Sequence, residues 1–466
     1  VGNDDLHWLE ITELARLIQA RKVSPVEVTE AMLRRIERVD ARLHSYATVA
    51  PEVALEQARH AEQRIMRREY LGGLHGVPIA LKDLCWTRGV RTMAGMPIHA
   101  GFVPTQDGTV TERLRVAGSV LLGKLQLTEG AFADHHPAVT VPVNPWHRDH
   151  WSGASSSGSG VATAAGLCFG SIGSDTGGSI RFPSIANGVT GLKPTWGRVS
   201  RFGAFELAAS LDHLGPMCRS AADCGLMLGA IAGPDPRDPT ARQAPVPDYL
   251  AGDERALSDL VVGVDERWCT ESVEAPVAAA WRDALEVLRG LGATIRPIAF
   301  PPVAQAIDDW GPNCAVETAV AHTATYPARK AEYGPGLAGF IEAGRALSGP
   351  DYQRILLRRA DFTGRVHAVF ADVDLMLIPG QPFAAPTVAT MATLGQEPGQ
   401  LAALVRYTAP FDMSGHPTIT LPAGFTAGGL PVAVQLVAGW LREERLVRAG
   451  RAFQRETDWH RRHPAV

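Results

Sequence analysis

The stretch that decides the fold begins Trp151-Ser152-Gly153-Ala154-Ser155-Ser156-Ser157-Gly158-Ser159-Gly160 and continues through Val161-Ala162-Thr163-Ala164-Ala165 to Cys168-Phe169-Gly170-Ser171-Ile172. It closes on Gly173-Ser174-Asp175-Thr176-Gly177-Gly178-Ser179-Ile180-Arg181. Composition alone would make it a flexible Gly/Ser linker. The flanks argue otherwise: Val161 to Ala165 suits a short small-residue helix and Cys168 to Ile172 a strand, so the segment reads turn, helix, strand, turn. A helix of about ten residues rises roughly 15 Å, and five strand residues return roughly 16 Å. If the two run antiparallel, the two Ser-rich turns meet and Ser155 and Ser179 become neighbours. Gly177-Gly178 permits a backbone with several N–H groups pointing one way, as an oxyanion site requires. Asp175 and Arg181 flank this turn as either a brace or a solvated pair.

Working outward, Ser24-Pro25-Val26-Glu27 sets a capped helix start, with Pro at the first helical position and Glu placed to close a capping box. The helix is expected to run to about Arg38, packing Val28, Met32, Leu33 and Ile36 while Arg34, Arg35 and Arg38 face water. Leu74 to Asp83 reads as an apolar strand ending in charge, and Ser119 to Gly123 as another. Alternating strand and helix signals predict an α/β protein with a largely parallel sheet. The proline-rich turns from Gly233 to Pro247 resemble a linker, but strand (Leu260 to Val264) and helix (Val277, Trp281, Leu285, Leu288) resume beyond them. That pattern extends one domain around a surface excursion.

The 466 residues are 45% hydrophobic and 20% charged, with 45 Lys plus Arg against 49 Asp plus Glu. Such a chain is neither disordered nor fibrous, and its net charge of −4 provides no global field for nucleic acid or anionic membrane. Six cysteines without a C-x-x-C pair argue against a zinc site or disulfide scaffold. The polar start Val1-Gly2-Asn3-Asp4-Asp5 is unlike a signal peptide, and no run reaches about 18 apolar residues. A cytoplasmic protein is the expectation.

Two sharp motifs compete for the glycines. A phosphate loop needs Lys where Ser159 stands, and the strand-elbow G-x-S-x-G fails because Gly153-Ala154-Ser155-Ser156-Ser157 and Gly177-Gly178-Ser179-Ile180-Arg181 both lack the final Gly. The chain instead resembles the amidase signature family. The resemblance rests on Gly76-Val77-Pro78 followed by Lys82-Asp83, on residues 153–159, on Asp175 to Pro183, on Pro410-Phe411-Asp412-Met413-Ser414-Gly415-His416-Pro417, and on Leu421-Pro422-Ala423-Gly424 with Gly429-Leu430-Pro431. It runs from about Glu13 to Trp459.

The resemblance implies one α/β domain over 1–466, a large mixed sheet sandwiched by helices. Its parts would be an N-terminal helical segment (about 10–65), a catalytic core (about 66–230), a variable pocket region (about 300–352) and a sheet-completing C-terminal segment (about 370–460). It implies Ser179 as nucleophile, Ser155 as a middle serine on a cis peptide bond and Lys82 as base, with no cofactor or metal. Thr176, Gly177, Gly178 and Ser179 would supply oxyanion N–H groups, supported by Ser156, Asp175 and Arg181. Ala154 and Ser157 depart from the family's usual glycines.

The chemistry is coherent without the family name. A serine hydroxyl attacks only when its proton is taken, and a lysine takes it only if burial keeps the amine neutral. Lys82 follows a buried strand, so desolvation pushes its pKa down, and Ser155 can relay the proton from Ser179. Without those serines Lys82 would read as a surface lysine at a strand end. His75, His135, His136, His213 and His416 have no recognisable Ser or carboxylate arrangement and read as structural, and Asp83 has no second acid at ligand spacing.

Between Phe300 and Tyr352 the resemblance fades, and Trp310, Tyr326, Tyr333 and Phe340 suit either a pocket wall or helix packing. Trp86 and Met93 are further apolar candidates near the lysine strand. With no basic cluster awaiting an anion, the expected partner is a small amide, ester or carbamate, not nucleic acid or membrane, and a homodimer stays open. Small aryl amides, esters and urethanes are expected over glutamine, peptides or urea. The rivals are the amide-hydrolysing subunit of a tRNA-dependent amidotransferase, working with partner chains, and a nucleotide-binding module.

Overall fold

A computed structural model describes residues 6–394 and 399–466. The polar start at residues 1–5 lies outside them. Eleven strands form one sheet among the described residues: β1 (Tyr46–Val49), β2 (Pro78–Lys82), β3 (Val120–Leu125), β4 (Gly170–Asp175), β5 (Thr190–Lys193), β6 (His213–Cys218), β7 (Val261–Val264), β8 (Thr294–Pro297), β9 (Leu375–Pro379), β10 (Thr418–Phe425) and β11 (Pro431–Ala438). Their spatial order is β1-β3-β2-β4-β6-β5-β10-β11-β9-β7-β8. Every residue of β2, β3, β4, β6, β9 and β11 is buried, as a sheet covered on both faces demands.

The sheet is mixed, which corrects the largely parallel one predicted from the alternation. Parallel pairing holds in two separate patches, β3-β2-β4 and β9-β7-β8. The strands between them pair antiparallel because β5 and β6, and β10 and β11, follow one another as neighbours without a crossover helix. The central patch positions the site. β2 and β4 run parallel with Ala80 opposite Ser171 and Leu81 opposite Ile172, so Lys82 and the Ser174-Asp175 end of β4 emerge at the same edge.

The helix Pro25–Leu43 has the capping box read from its sequence: Ser24 Oγ accepts from Val26 N (3.0 Å) and Glu27 N (3.4 Å), and Ser24 N–H donates to Glu27 Oε2 (3.0 Å). It outlasts Arg38 because Val39 and Leu43 continue the buried stripe. Arg35 does not face water; its guanidinium donates to the carbonyls of Ala165 (2.8 Å) and Gly166 (3.1 Å), fastening this helix behind the Ser-rich segment. The turns from 233 to 247 lie against the body, with Arg198 donating to the carbonyls of Ala244 and Pro245, and strands from both sides of them share the one sheet. All six cysteines are free and buried. Among the described residues no helix is long and apolar enough to cross a membrane.

Candidate active site

The two Ser-rich turns meet. Residues 157–164 form the helix, β4 returns beside it, and Ser156 N–H donates to the Ser179 carbonyl at 3.3 Å. The Ala154–Ser155 peptide is cis. The first turn is pressed onto the strand edge by Gly158, where a Cβ would lie 2.4 Å from the Ser45 carbonyl oxygen and 2.6 Å from Gln126 N. Thr128 N–H holds the Ser155 carbonyl at 3.2 Å. The extra hydroxyl at Ser157 lies 3.1 Å from His135 Nε2.

Lys82 is fully buried, with its Nζ 2.6 Å from Ser155 Oγ and 2.8 Å from both Ser156 Oγ and Ser174 Oγ. Burial pushes the ammonium down to about 7, partly resisted by the negative charge of Asp175 and Asp212. A lysine poised there is half neutral at neutral pH and can accept a proton from the hydroxyl beside it. Ser156 Oγ in turn donates to the Ser174 carbonyl (3.1 Å) and accepts from Ser174 N–H (3.2 Å), pinning the first turn to β4.

The second turn is built around a buried carboxylate. Asp175 Oδ1 accepts from Gly178 N–H (2.7 Å), and Oδ2 accepts from the N–H groups of Ile180 (3.0 Å) and Arg181 (3.3 Å). The Arg181 guanidinium clasps both oxygens at 3.0 and 2.8 Å. Burial works against its ionisation, but Arg181 outweighs it and holds Asp175 well below the usual carboxylate range. The pair is therefore a buried brace, not a solvated one. Arg181 also donates to Asp412 Oδ2 at 2.5 Å and to the Thr408 carbonyl at 2.9 Å, tying the turn to the C-terminal segment.

Between Ser152 and Thr195, Ser179 is the one residue that is not buried. Among the described residues, the N–H groups of Thr176, Gly177 and Ser179 meet no acceptor in the protein, whereas that of Gly178 is committed to Asp175. A partly exposed serine on a turn with three free N–H groups, meeting the turn whose Ser155 is bonded to a low-pKa lysine, is an arrangement for acyl transfer.

The apolar candidates divide. Trp310 lies against the turn: its Nε1–H donates to the Thr176 carbonyl at 2.9 Å, and a Cβ on Gly177 would fall 2.2 Å from its Cζ2. Tyr326 and Tyr333 sit in a satellite cluster with Met96, Ile98 and Leu337, their hydroxyls spent on Glu342 and on His322 and Thr325. Phe340 stacks on Phe132 with centroids 4.4 Å apart. Trp86 packs edge-on to Phe102 and Phe205, and Met93 is buried with its N–H on Asp83.

Ser174, Asp412 and a second apolar wall were not singled out from sequence. Phe182 abuts Gly178, where a Cβ would lie 2.3 Å from its ring, and belongs to an apolar cluster against which half-buried Trp151, Ile307, Trp310 and Phe383 pack. Asp412 carried one signal, an acid flanked by Phe411 and Met413 that must be paired if buried.

The chain is similar to known proteins along nearly its whole length. The Amidase family model matches residues 27–447. A Mycobacterium tuberculosis protein named "Putative amidase AmiD" is 51% identical over 468 residues, covering 100% of this chain and 98% of that one. The A subunit of a Geobacter glutamyl-tRNA(Gln) amidotransferase is 37% identical, with 97% and 98% covered. Among solved structures, 6-aminohexanoate cyclic dimer hydrolase complexed with substrate superposes with a TM-score of 0.88 at 25% identity over 98% of this chain and 99% of that one. The native peptide amidase from Stenotrophomonas maltophilia gives 0.82 at 27% identity, covering 98% of each.

Proposed function

The chain belongs to the amidase signature family, and from that premise we propose that it is a serine amidohydrolase cleaving neutral, hydrophobic or aryl carboxamides through an acyl-enzyme on Ser179, and also esters and small carbamates. The observation that carries the reading is the fully buried Lys82, 2.6 Å from Ser155 Oγ and brought down to about 7. In this reading neutral Lys82 takes the Ser155 proton as Ser155 takes that of Ser179, whose Oγ bonds to the substrate carbonyl carbon. The oxyanion rests on the free N–H groups of Thr176, Gly177 and Ser179. The intermediate collapses with the C–N or C–O bond breaking, and Ser155 returns a proton to the departing amine or alcohol. Water, deprotonated by the same relay, then hydrolyses the acyl-enzyme.

A carbamate carbonyl forms the same kind of oxyanion on attack, which brings urethanes within reach. Phe182 against Gly178 and Trp310 against Gly177 make the surroundings of the Ser179 turn apolar, which favours apolar acyl groups. In this reading the enzyme is cytoplasmic and needs no cofactor. The second reading is a glutamine-hydrolysing role within an amidotransferase, motivated by the 37% identity to such a protein. Specificity constants for an acyl anilide, an aryl ester, an aryl carbamate and glutamine on one preparation decide between them. Fast glutamine cleavage with inert aromatic substrates would overturn the proposal.

A further inference from the structure

In a trans peptide the C=O and N–H groups point in opposite directions, so a donor that fixes a carbonyl from behind aims the N–H of the same peptide forward. Two consecutive peptides entering the Ser179 turn are fixed in this way by side chains distant in sequence. The Asp175 carbonyl lies 3.1 Å from His213 Nδ1 on β6, and the Thr176 carbonyl accepts from Trp310 Nε1 at 2.9 Å on the helix Ala304–Ala321. The N–H groups of those peptides belong to Thr176 and Gly177, two of the three with no acceptor in the protein among the described residues.

The His213 tautomer follows from its partners. A carbonyl can only accept, so Nδ1 carries the proton. Nε2 then presents its lone pair to the fully buried Lys193, whose Nζ lies 3.1 Å away and also donates to the Pro194 carbonyl at 3.2 Å. Lys193 therefore holds the imidazole in the tautomer that can donate to Asp175. Trp310 is equally constrained, because its ring lies so close to Gly177 that only glycine fits there.

We infer that Trp310 and His213, the latter backed by Lys193, are positioning residues that aim the Thr176 and Gly177 N–H groups at the oxyanion. The helix carrying Trp310 thus sets part of the reaction geometry. The inference rests on the serine amidohydrolase reading. Its signature is a loss in the transition state alone.

The test compares Trp310→Phe, which keeps a ring but removes the N–H, with His213→Asn and His213→Gln. The Asn amide nitrogen takes the place of Nδ1 and still reaches Asp175, whereas that of Gln takes the place of Nε2 and cannot. For each, kcat and KM on an acyl anilide are measured together with inhibition by an arylboronic acid, whose tetrahedral adduct on serine carries the oxyanion charge. Near-UV circular dichroism checks folding. Trp310→Phe and His213→Gln should lose about 10- to 100-fold in both kcat and boronate affinity, a fraction of the roughly 10²- to 10³-fold that follows full removal of an oxyanion donor, with KM nearly unchanged. His213→Asn should recover most of the loss. Equal losses in folded Asn and Gln variants, or a Trp310→Phe defect confined to KM, would overturn the inference. If one variant fails to fold, the other residue's comparison still decides. A wild-type enzyme that turns over no anilide and binds no boronate would instead overturn the serine amidohydrolase reading.

Discussion

Replacing Lys82 with methionine should destroy activity and, at neutral pH, make the protein more stable. Burial holds the Lys82 pKa near 7 against an ordinary 10.5, so keeping that side chain half neutral while the unfolded chain protonates it fully costs about 4 kcal/mol at pH 7. The methionine removes that cost but strips a partner from Ser155, Ser156 and Ser174 Oγ, at about 1 kcal/mol each. The net expectation is a gain of about 1 kcal/mol for Lys82→Met at pH 7. The sign has a pH signature. Between about 7 and 10.5 the unfolded wild type binds a proton that the native state does not, so wild-type stability rises with pH by about 1.4 kcal/mol per unit. The advantage of Lys82→Met should therefore vanish near pH 8 and reverse above it. Urea unfolding of both proteins at pH 7, 8 and 9 reads this directly. A variant that is less stable at pH 7, or a gap that does not change with pH, would show that burial does not lower the Lys82 pKa to about 7.

The same lysine should give log(kcat/KM) an acidic limb: activity falls tenfold per unit below about 7 and is flat just above it, and Lys82→Arg, which cannot deprotonate, should be inactive at every pH. Arg181→Met should destabilise by about 3–5 kcal/mol because it leaves Asp175 buried without its cation, and the loss should appear in thermal melts as well as in activity. Gly177→Ala should abolish turnover while leaving overall secondary structure intact by circular dichroism, since the added methyl would meet Trp310 at 2.2 Å.

What the sequence disclosed and what it withheld follow from how local each signal is. The meeting of the two Ser-rich turns was legible because helix rise and strand return nearly cancel, and the Ser24 box was legible because its partners lie three residues apart. Antiparallel pairing of β6 with both β4 and β5 was not, because the alternation of elements carries no strand direction. Arg35 was misread for a related reason: helical periodicity says which face a residue occupies, but the carbonyls of Ala165 and Gly166 that draw its guanidinium inward are 130 and 131 residues away. Lys82 could be placed at a strand end, yet its contact with Ser174 depends on the parallel register of β2 and β4. Among the aromatics, Trp310 and Tyr333 look alike in sequence. Only their tertiary partners, the Thr176 carbonyl for one and His322 for the other, separate a residue at the turn from one in a satellite cluster.

Whether Ser179 carries a covalent intermediate is read from intact-protein mass after reaction with an aryl fluorophosphonate, followed by peptide mapping. A single adduct is expected on the peptide containing Gly177-Gly178-Ser179, absent from a folded Ser179→Ala protein and formed much more slowly in Ser155→Ala and Lys82→Ala. Undiminished labelling of Ser179→Ala at another serine, or full turnover by that variant, would contradict it.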